Sequence, residues 1–345
     1  MRPYKELSLA ESATAIKELD LPAFRARQIA QWVYGKGAAS YNEMTNLSRS
    51  LRERLAVELP LYASRIVDRQ ISQDGTRKYI VAFHDGASTE MVAMPYGNRL
   101  TVCFSTQVGC AMQCSFCATG KEGFTRNLVP GEMVDQIILA EKDMGTRVSN
   151  VVSMGQGEPL LNLENLSAAL EILNDPAYRG IGARHIVVST CGIVQGIRAF
   201  ADIGEQYVLA VSLHSAIQET RDMIMPRVAH QPIDALIEAI QEYDRKTHRR
   251  VTFEYVLIQG MNDDRRHIDA LIDICRRTHS NVNLIELNEI EESPFRPSGR
   301  KVSLEFVKRL KSAGIEATIR DSRGSDIAGA CGQLKNERAR LCSDT

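Results

Sequence analysis

Three cysteines in the stretch Cys110-Ala-Met-Gln-Cys114-Ser-Phe-Cys117 are the residues of this chain whose type and spacing are best suited to chemistry. They put three thiolates into one short loop. A cubane iron–sulfur cluster is held by thiolates, usually four. With only three from the protein, one iron stays open to chelation by a small molecule. Zinc is the main competitor, but structural zinc takes four ligands, drawn from paired Cys-x-x-Cys or His motifs. No histidine lies in or beside this loop. Inert core thiols would sit among apolar neighbours, whereas Gly109, Gln113 and Gly120 surround these. Residue type and spacing therefore favour a cluster, with Cys110, Cys114 and Cys117 as its ligands.

The other cysteines divide into two groups. Cys191, Cys275 and Cys342 fit the default for a lone cysteine, a small buried hydrophobe. Cys103, seven residues before Cys110, and Cys331, in Gly329-Ala-Cys-Gly-Gln, ask for more. Glycine-rich backbone is not core and would let the Cys331 thiol reach across a site. Polar residues also recur where strands are expected to end. Met154-Gly-Gln-Gly157-Glu158-Pro offers backbone groups and a carboxylate that could accept from an ammonium. Ser189-Thr190, Ser212-Leu213-His214 and Asn288 follow. Each alone reads as an ordinary strand-end residue; at one shared rim they point to a small-molecule pocket.

The elements that must position these residues follow from periodicity. Leu100–Ser105, Asn150–Met154, His185–Thr190, Tyr207–Leu213, Val251–Leu257 and Asn281–Leu287 read as strands. Helical stretches lie between them at 130–144, 163–173, 193–203, 233–246 and 266–277. Crossovers of helical length make the strands parallel. Six such units predict an α/β fold, an incomplete (β/α)6 barrel over 99–300, with its functional residues at the C-terminal strand ends. Before it, residues 61–98 alternate and are broken by Gln73-Asp-Gly75 and His84-Asp-Gly86, which are hairpin signals for a short antiparallel β extension. Residues 1–60 read as a small helical domain. In it, Phe24, Ile29, Trp32 and Val33 are expected on one side of a helix, and Arg49, Arg52 and Arg54 exposed on another. From charge alone those arginines are a solvated face; a grip on RNA phosphates is the functional alternative. The tail, 301–345, adds a helix at 303–313, a short strand at 317–320 and the Cys331 loop.

Composition sets the outer bounds. The chain has 345 residues, 44% apolar and 25% charged, with a formal net charge of −1. That balance fits a globular protein and excludes a generally basic nucleic-acid binder, so any RNA contact must use local patches. There is no apolar run of membrane-spanning length and no signal-peptide pattern at the N-terminus, which points to the cytoplasm. Eight cysteines, partly clustered, suggest metal and redox chemistry in place of a disulfide framework;.

Phe116 directly before the last cysteine of the cluster loop resembles the radical S-adenosylmethionine (SAM) motif, in which the open iron binds the amino and carboxylate groups of SAM. Along nearly its whole length the chain resembles the RlmN/Cfr family of radical SAM RNA methyltransferases. The resemblance is carried by Phe24-Arg-Ala-Arg-Gln-Ile, Glu43-Met-Thr-Asn-Leu-Ser, Gln107-Val-Gly-Cys110, Phe116-Cys-Ala-Thr-Gly, Gly157-Glu-Pro-Leu-Leu-Asn162, Ser212-Leu-His214, Arg221 with Met225-Pro226, Phe253-Glu-Tyr, Gly260-Met-Asn-Asp263 and Ala330-Cys-Gly-Gln-Leu334. The Glu43 segment is closer to RlmN than to Cfr.

The resemblance implies a [4Fe-4S] cluster and two SAM molecules per turnover. One SAM methylates Cys331. The second yields a radical that takes hydrogen from the S-methyl group, and the resulting methylene radical adds to carbon 2 of adenine, giving a protein–RNA thioether. Cys103 then resolves the thioether through a transient disulfide with Cys331. Glu90 falls where the family places a proton acceptor. Gly157, Glu158, Ser189, Ser212, Leu213, His214 and Asn288 match SAM-contacting positions. The implied substrates are 23S rRNA at its adenosine 2503-type site and tRNA at adenosine 37, with flavodoxin or ferredoxin as electron donor to a monomeric enzyme. Departures are Gln156, where relatives commonly carry methionine beside the SAM site, the acidic segment after Asn288, and Cys191 with Gln195 in the third-strand loop. Methylation at C8, as in Cfr, shares every cysteine named. A non-catalytic RNA-binding protein would have no need of Cys103 and Cys331 together, and the N-terminal helical module disfavours a small-molecule substrate.

Overall fold

The computed structural model describes residues 2–291 and 293–335; Cys342 lies outside the described residues. Three helices come first, α1 (Leu9–Glu18), α2 (Phe24–Ala30) and α3 (Arg49–Glu58). Ser8 starts α1 with a reciprocal box: its hydroxyl accepts from Glu11 N at 3.2 Å while Ser8 N donates to the Glu11 carboxylate at 2.8 Å;. Ser48 starts α3 by accepting from Leu51 N;.

Two expectations for this region fail in detail. Ala26, Ile29, Ala30 and Val33 form the buried face of α2 and its continuation, and Phe24 is 60% exposed. At about 100° per residue Phe24 falls on the side opposite that face. Arg52 is half-buried and donates to Asn42 O, while Arg49 and Arg54 pair with Glu53 and Glu58 one turn on.

Four antiparallel strands follow, β1 (Arg65–Ile71), β2 (Arg77–Ala82), β3 (Ser88–Tyr96) and β4 (Arg99–Cys103). The two Asp-Gly pairs make the expected hairpin turns. Asp74 and Asp85 accept from the backbone N–H groups of Thr76 and Ala87, and Gly75 and Gly86 take φ of +82° and +84°, where a side chain would be strained;.

After β4 come β5 (Gln107–Gly109), α4 (Ala118–Glu122) and β6 (Phe124–Asn127), a small ribbon not foreseen from the sequence. Next are α5 (Pro130–Met144), β7 (Asn150–Ser153), α6 (Leu163–Asn174), β8 (Ile186–Thr190) and α7 (Val194–Ala201). They lead to β9 (Val208–Ser212), α8 (Gln218–Ile224), α9 (Ile233–Thr247), β10 (Val251–Leu257) and α10 (Arg265–Arg277). The last are β11 (Ser280–Glu286), α11 (Arg300–Ser312) and β12 (Ala317–Arg320).

All strands but β5 and β6 form one sheet in the order β1-β2-β3-β4-β7-β8-β9-β10-β11-β12. From β4 onward every pairing is parallel, so the tail strand β12 extends the six expected units to seven strands. This is an α/β fold, and its strands are largely buried on both faces, as a helix-covered parallel sheet requires;. Among the described residues β12 does not pair back to β4, so the sheet has a lateral opening.

The N-terminal helices pack directly onto the sheet's helical layer. Lys5 and Asp135 of α5 form an ion pair at 2.6 Å with both side chains 6% exposed. Asp135 also accepts from Ser64 N and Ser64 Oγ. Apolar side chains from α1 and α2 share one core with those of α5 and α6. Among the described residues no helix is long and apolar enough to cross a membrane.

Candidate active site at the C-terminal ends of the parallel strands

The cluster loop leaves the ribbon strand β5 at the top of the sheet. Cys110 N donates to Gly123 O at 2.7 Å, Cys117 N to Cys114 O at 3.1 Å and Ser115 N to Ile224 O at 3.0 Å, which tie the loop to the ribbon and to α8. Cys110, Cys114 and Cys117 all line a cavity of about 170 Å³. Burial pushes the Cys110 thiol up to about 12 and raises Cys114 and Cys117 as well, with the neighbouring thiolates adding to the effect on Cys114. Only ligation to a positive metal centre would make three such buried groups ionise together. Three thiols on one cavity wall are a donor set that fits an iron–sulfur cluster;.

The rim expected from the sequence assembles around the same cavity. Gly157, Glu158, Ser189, Ser212, His214 and Asn288 line it; Leu213 does not, being 1% exposed with its carbonyl turned to Arg221. Two glycines let the Met154–Glu158 loop lie tight against the chain after β4. A Cβ on Gly155 would meet Ser105 Oγ at 2.6 Å, and one on Gly157, already at φ +105°, would meet Gln107 Cβ at 2.6 Å. Glu158 accepts from Leu160 N at 3.0 Å and Cys191 N at 2.7 Å, one bond on each oxygen. Burial raises this carboxyl, opposed by those bonds and by hydrogen bonds from the Cys191 and Thr190 side chains. His214 accepts from Val256 N through Nδ1 at 3.1 Å, and its ring meets Phe116 edge-on with centroids 4.9 Å apart. Burial, reinforced by Arg221, drives the His214 ring down to about 3, so it is neutral.

A second cavity of about 340 Å³ adjoins the first and occupies the lateral opening. Cys103 and Cys331 both line it, and Cys331 lines both cavities. Both are free thiols. The Cys331 loop is held over the strand ends by Asn288 Nδ2, which donates to Cys331 O at 3.1 Å, and by Ala118 N, which donates to Gly332 O at 2.7 Å. Burial pushes the Cys103 thiol up to about 12, Cys331 adding to the rise and Arg320 opposing it.

Glu90 is not brought to either cavity. It shares the β3 face of Val92 and Met94, which line the larger cavity, but the tail lies over it. Lys335 N donates to Glu90 Oε2 at 2.8 Å, Lys78 Nζ lies 3.4 Å from Oε1, and all three face a separate hollow. Gln156, expected to bear on SAM packing, is 1% exposed and lines neither cavity; its Oε1 accepts from Thr89 Oγ1 and Glu90 N.

Three site residues had no role assigned from the sequence. Arg221, 2% exposed, donates to the carbonyls of Cys191, Ser212 and Leu213 and so clamps two adjacent strand ends. Arg320, at the end of β12, lines both cavities, and the charges of Cys331 and Glu254 hold its guanidinium more firmly protonated. Glu254 lines the cluster cavity with a buried Oε2 that has no hydrogen-bond partner among the described residues, and burial raises its carboxyl. Its charge partner is Arg320, 3.9 Å away, too far for a hydrogen bond, so the oxygen can still accept from a hydroxyl or ammonium of a bound molecule;. The only signal for these residues was their position at strand ends and in the segments quoted for the resemblance.

Comparison with known proteins agrees with this geometry. Residues 104–272 match the radical SAM superfamily, and residues 6–59 match the ribosomal RNA large subunit methyltransferase N-terminal domain. A probable dual-specificity RNA methyltransferase RlmN from Clostridium novyi is 42% identical over 318 residues, covering 92% of this chain and 93% of that protein. One from Alkaliphilus metalliredigens is 43% identical, covering 96% and 94%. The crystal structure of a radical SAM methyltransferase from Sphaerobacter thermophilus superposes with a TM-score of 0.92 at 42% identity, covering 98% of this chain and 100% of that one.

Proposed function

The chain belongs to the RlmN family, and from that premise we propose that it is a radical SAM enzyme that methylates carbon 2 of adenosine in RNA. Its substrates on this reading are 23S rRNA at the adenosine 2503-type site and tRNA at adenosine 37. The observation that carries the proposal is the position of Cys331. It lies on the wall common to the cluster cavity and the larger cavity, with Cys103 in the larger one.

A [4Fe-4S] cluster on Cys110, Cys114 and Cys117 supplies, when bound, the one-electron reductive cleavage of SAM that starts radical chemistry. The chain's own residues do the rest. Gly157, Glu158, Ser189, Ser212, His214 and Asn288 hold SAM against that loop, Glu158 by accepting from its ammonium group. Leu213 contributes backbone, kept in place by Arg221. Cys331 accepts a methyl group on its sulfur and carries it to the RNA base in the larger cavity. Neutral His214 adds no second cation to the SAM cavity, which Arg320 already lines. Arg320 sets a permanent positive charge beside Cys331 and Cys103, which eases the ionisation of Cys103. That ionisation is what attack on the Cys331 sulfur requires, because thiolate is the nucleophile in thiol exchange. Glu90 takes the ring proton only if Lys335 N releases its carboxylate, so the tail must shift during the cycle. Two SAM molecules are used per turnover, one for each role. Residues 1–60 hold the folded RNA, the enzyme acts as a cytoplasmic monomer, and a flavodoxin or ferredoxin supplies the electron.

The test uses Cys103→Ala protein, expressed with iron and sulfide supply and purified anaerobically. Nuclease digestion and peptide mass spectrometry should find adenosine joined to Cys331 through a thioether, and fragmentation should place the link at C2; a link at C8 would make the enzyme Cfr-like. No adduct, with the cluster intact and SAM still cleaved, would refute RNA methylation through Cys331.

A further inference from the structure

The larger cavity opens to solvent at the tip of the β3–β4 hairpin, where Tyr96 and Arg99 form a cross-strand pair. Tyr96 is 61% exposed although it borders a cavity with both cysteines. The Arg99 guanidinium lies 5.3 Å from the Tyr96 ring centroid, and that of Arg323, from the loop after β12, lies 5.1 Å from it. Arg323 is anchored, its Nη1 donating to Pro95 O at 3.1 Å. Arg99 is exposed, and its guanidinium makes no hydrogen bond or ion pair among the described residues. Asp321 lines the same cavity without pairing to either arginine.

An enclosed ligand would gain nothing from an exposed aromatic and a free guanidinium outside the chamber. A polymer whose modified unit enters the cavity while its neighbours remain outside would use both. We propose that Tyr96, Arg99 and Arg323 bind the single-stranded nucleotide flanking the target adenosine. Tyr96 stacks on the flanking base, Arg99 swings from the ring to the phosphate, and Arg323 stays as a fixed cation at the ring's side. The assignment rests on the RNA reading above and specifies where the strand leaves the site. A base stacked on tyrosine is bound through its π-face, so the contact tolerates any flanking base but requires it to be unpaired.

The probe is a fluorescently labelled RNA hairpin with adenosine in its single-stranded loop, titrated by anisotropy against the holoenzyme at several salt concentrations. Tyr96→Ala is expected to weaken binding about 5- to 100-fold and Tyr96→Phe to bind as the wild type does. Arg99→Gln should reduce the slope of log affinity against log salt by about 0.7, the loss of one phosphate contact on a single strand. Circular dichroism and the thermal midpoint check that each variant folds. Unchanged affinity in Tyr96→Ala together with an unchanged salt slope in Arg99→Gln would overturn the assignment, as would equal sensitivity of fully paired RNA to Tyr96→Ala. Failure of the wild type to bind any RNA would instead overturn the RNA reading, and the flanking-nucleotide contact with it.

Discussion

Replacing Asp135 with alanine should undo the joint between the N-terminal helices and the sheet. The carboxylate accepts two bonds from Lys5 Nζ, at 2.6 and 2.7 Å, and two from Ser64. Asp135→Ala leaves a lysine with a 6% exposed side chain charged and alone. Stranding one partner of a buried pair costs about 3–5 kcal/mol. The Ser64 N–H and hydroxyl lose their acceptor too, which pushes the loss toward the upper end. At about 2–4 °C per kcal/mol, the thermal midpoint should fall by roughly 10 °C. Removing both charges, as in Lys5→Met/Asp135→Leu, should restore most of that loss, since a buried ion pair gains little over apolar side chains of similar size. The assay is urea unfolding of the wild type, the two single variants and the double variant as a thermodynamic cycle, with limited proteolysis to locate the opening. The cycle should be non-additive by about 2 kcal/mol or more. A loss below about 1 kcal/mol in Asp135→Ala, or strict additivity, would show that the pair does not hold the two parts together.

Two further outcomes are expected. His214 is held down to about 3 in the fold against 6.5 when free, so the unfolded chain binds the extra proton between those values. Stability is then complete above pH 6.5 and falls as pH drops, by about 1.4 kcal/mol per unit. His214→Asn, whose Oδ1 can still accept from Val256 N, should show a shallower acid limb in urea unfolding, and parallel limbs would refute the assignment. Gln156→Met strands the Glu90 N–H and leaves the Thr89 hydroxyl only its longer bond to Gln107 O at 3.5 Å, which should cost about 1–3 kcal/mol in unfolding experiments;. SAM affinity, read by equilibrium dialysis, should not change, because Gln156 does not face the cofactor cavity; a large drop would mean it shapes that site.

Much of this molecule was legible in its sequence because the signals were local. Three thiols four and three residues apart need no tertiary context to suggest a cluster. The Asp-Gly turns at 74–75 and 85–86 require positive φ at the glycine wherever they occur. Helices at 130–144 and 233–247 have periodic apolar faces long enough to be read directly. The strand ends named the residues of one cavity rim because a parallel sheet turns all its C-terminal ends to one side.

Other features depended on contacts between residues distant in the chain. Phe24 is exposed because α2 buries the face opposite it, against α1 and the core they share with the sheet's helices. Lys5 and Asp135 are 130 positions apart, and no local pattern joins them. Arg221 became a clamp only when β8 and β9 brought three carbonyls within reach of its guanidinium. Glu90 was assigned only through the resemblance, and that Lys335 N and Lys78 hold its carboxylate is decided by contacts far along the chain. Residue types and spacing thus determined which chemistry the chain carries. Tertiary structure decided which thiols share a chamber, which charges are stranded without water, and which carboxylate is shielded, because burial and long-range proximity exist only once the sheet has formed.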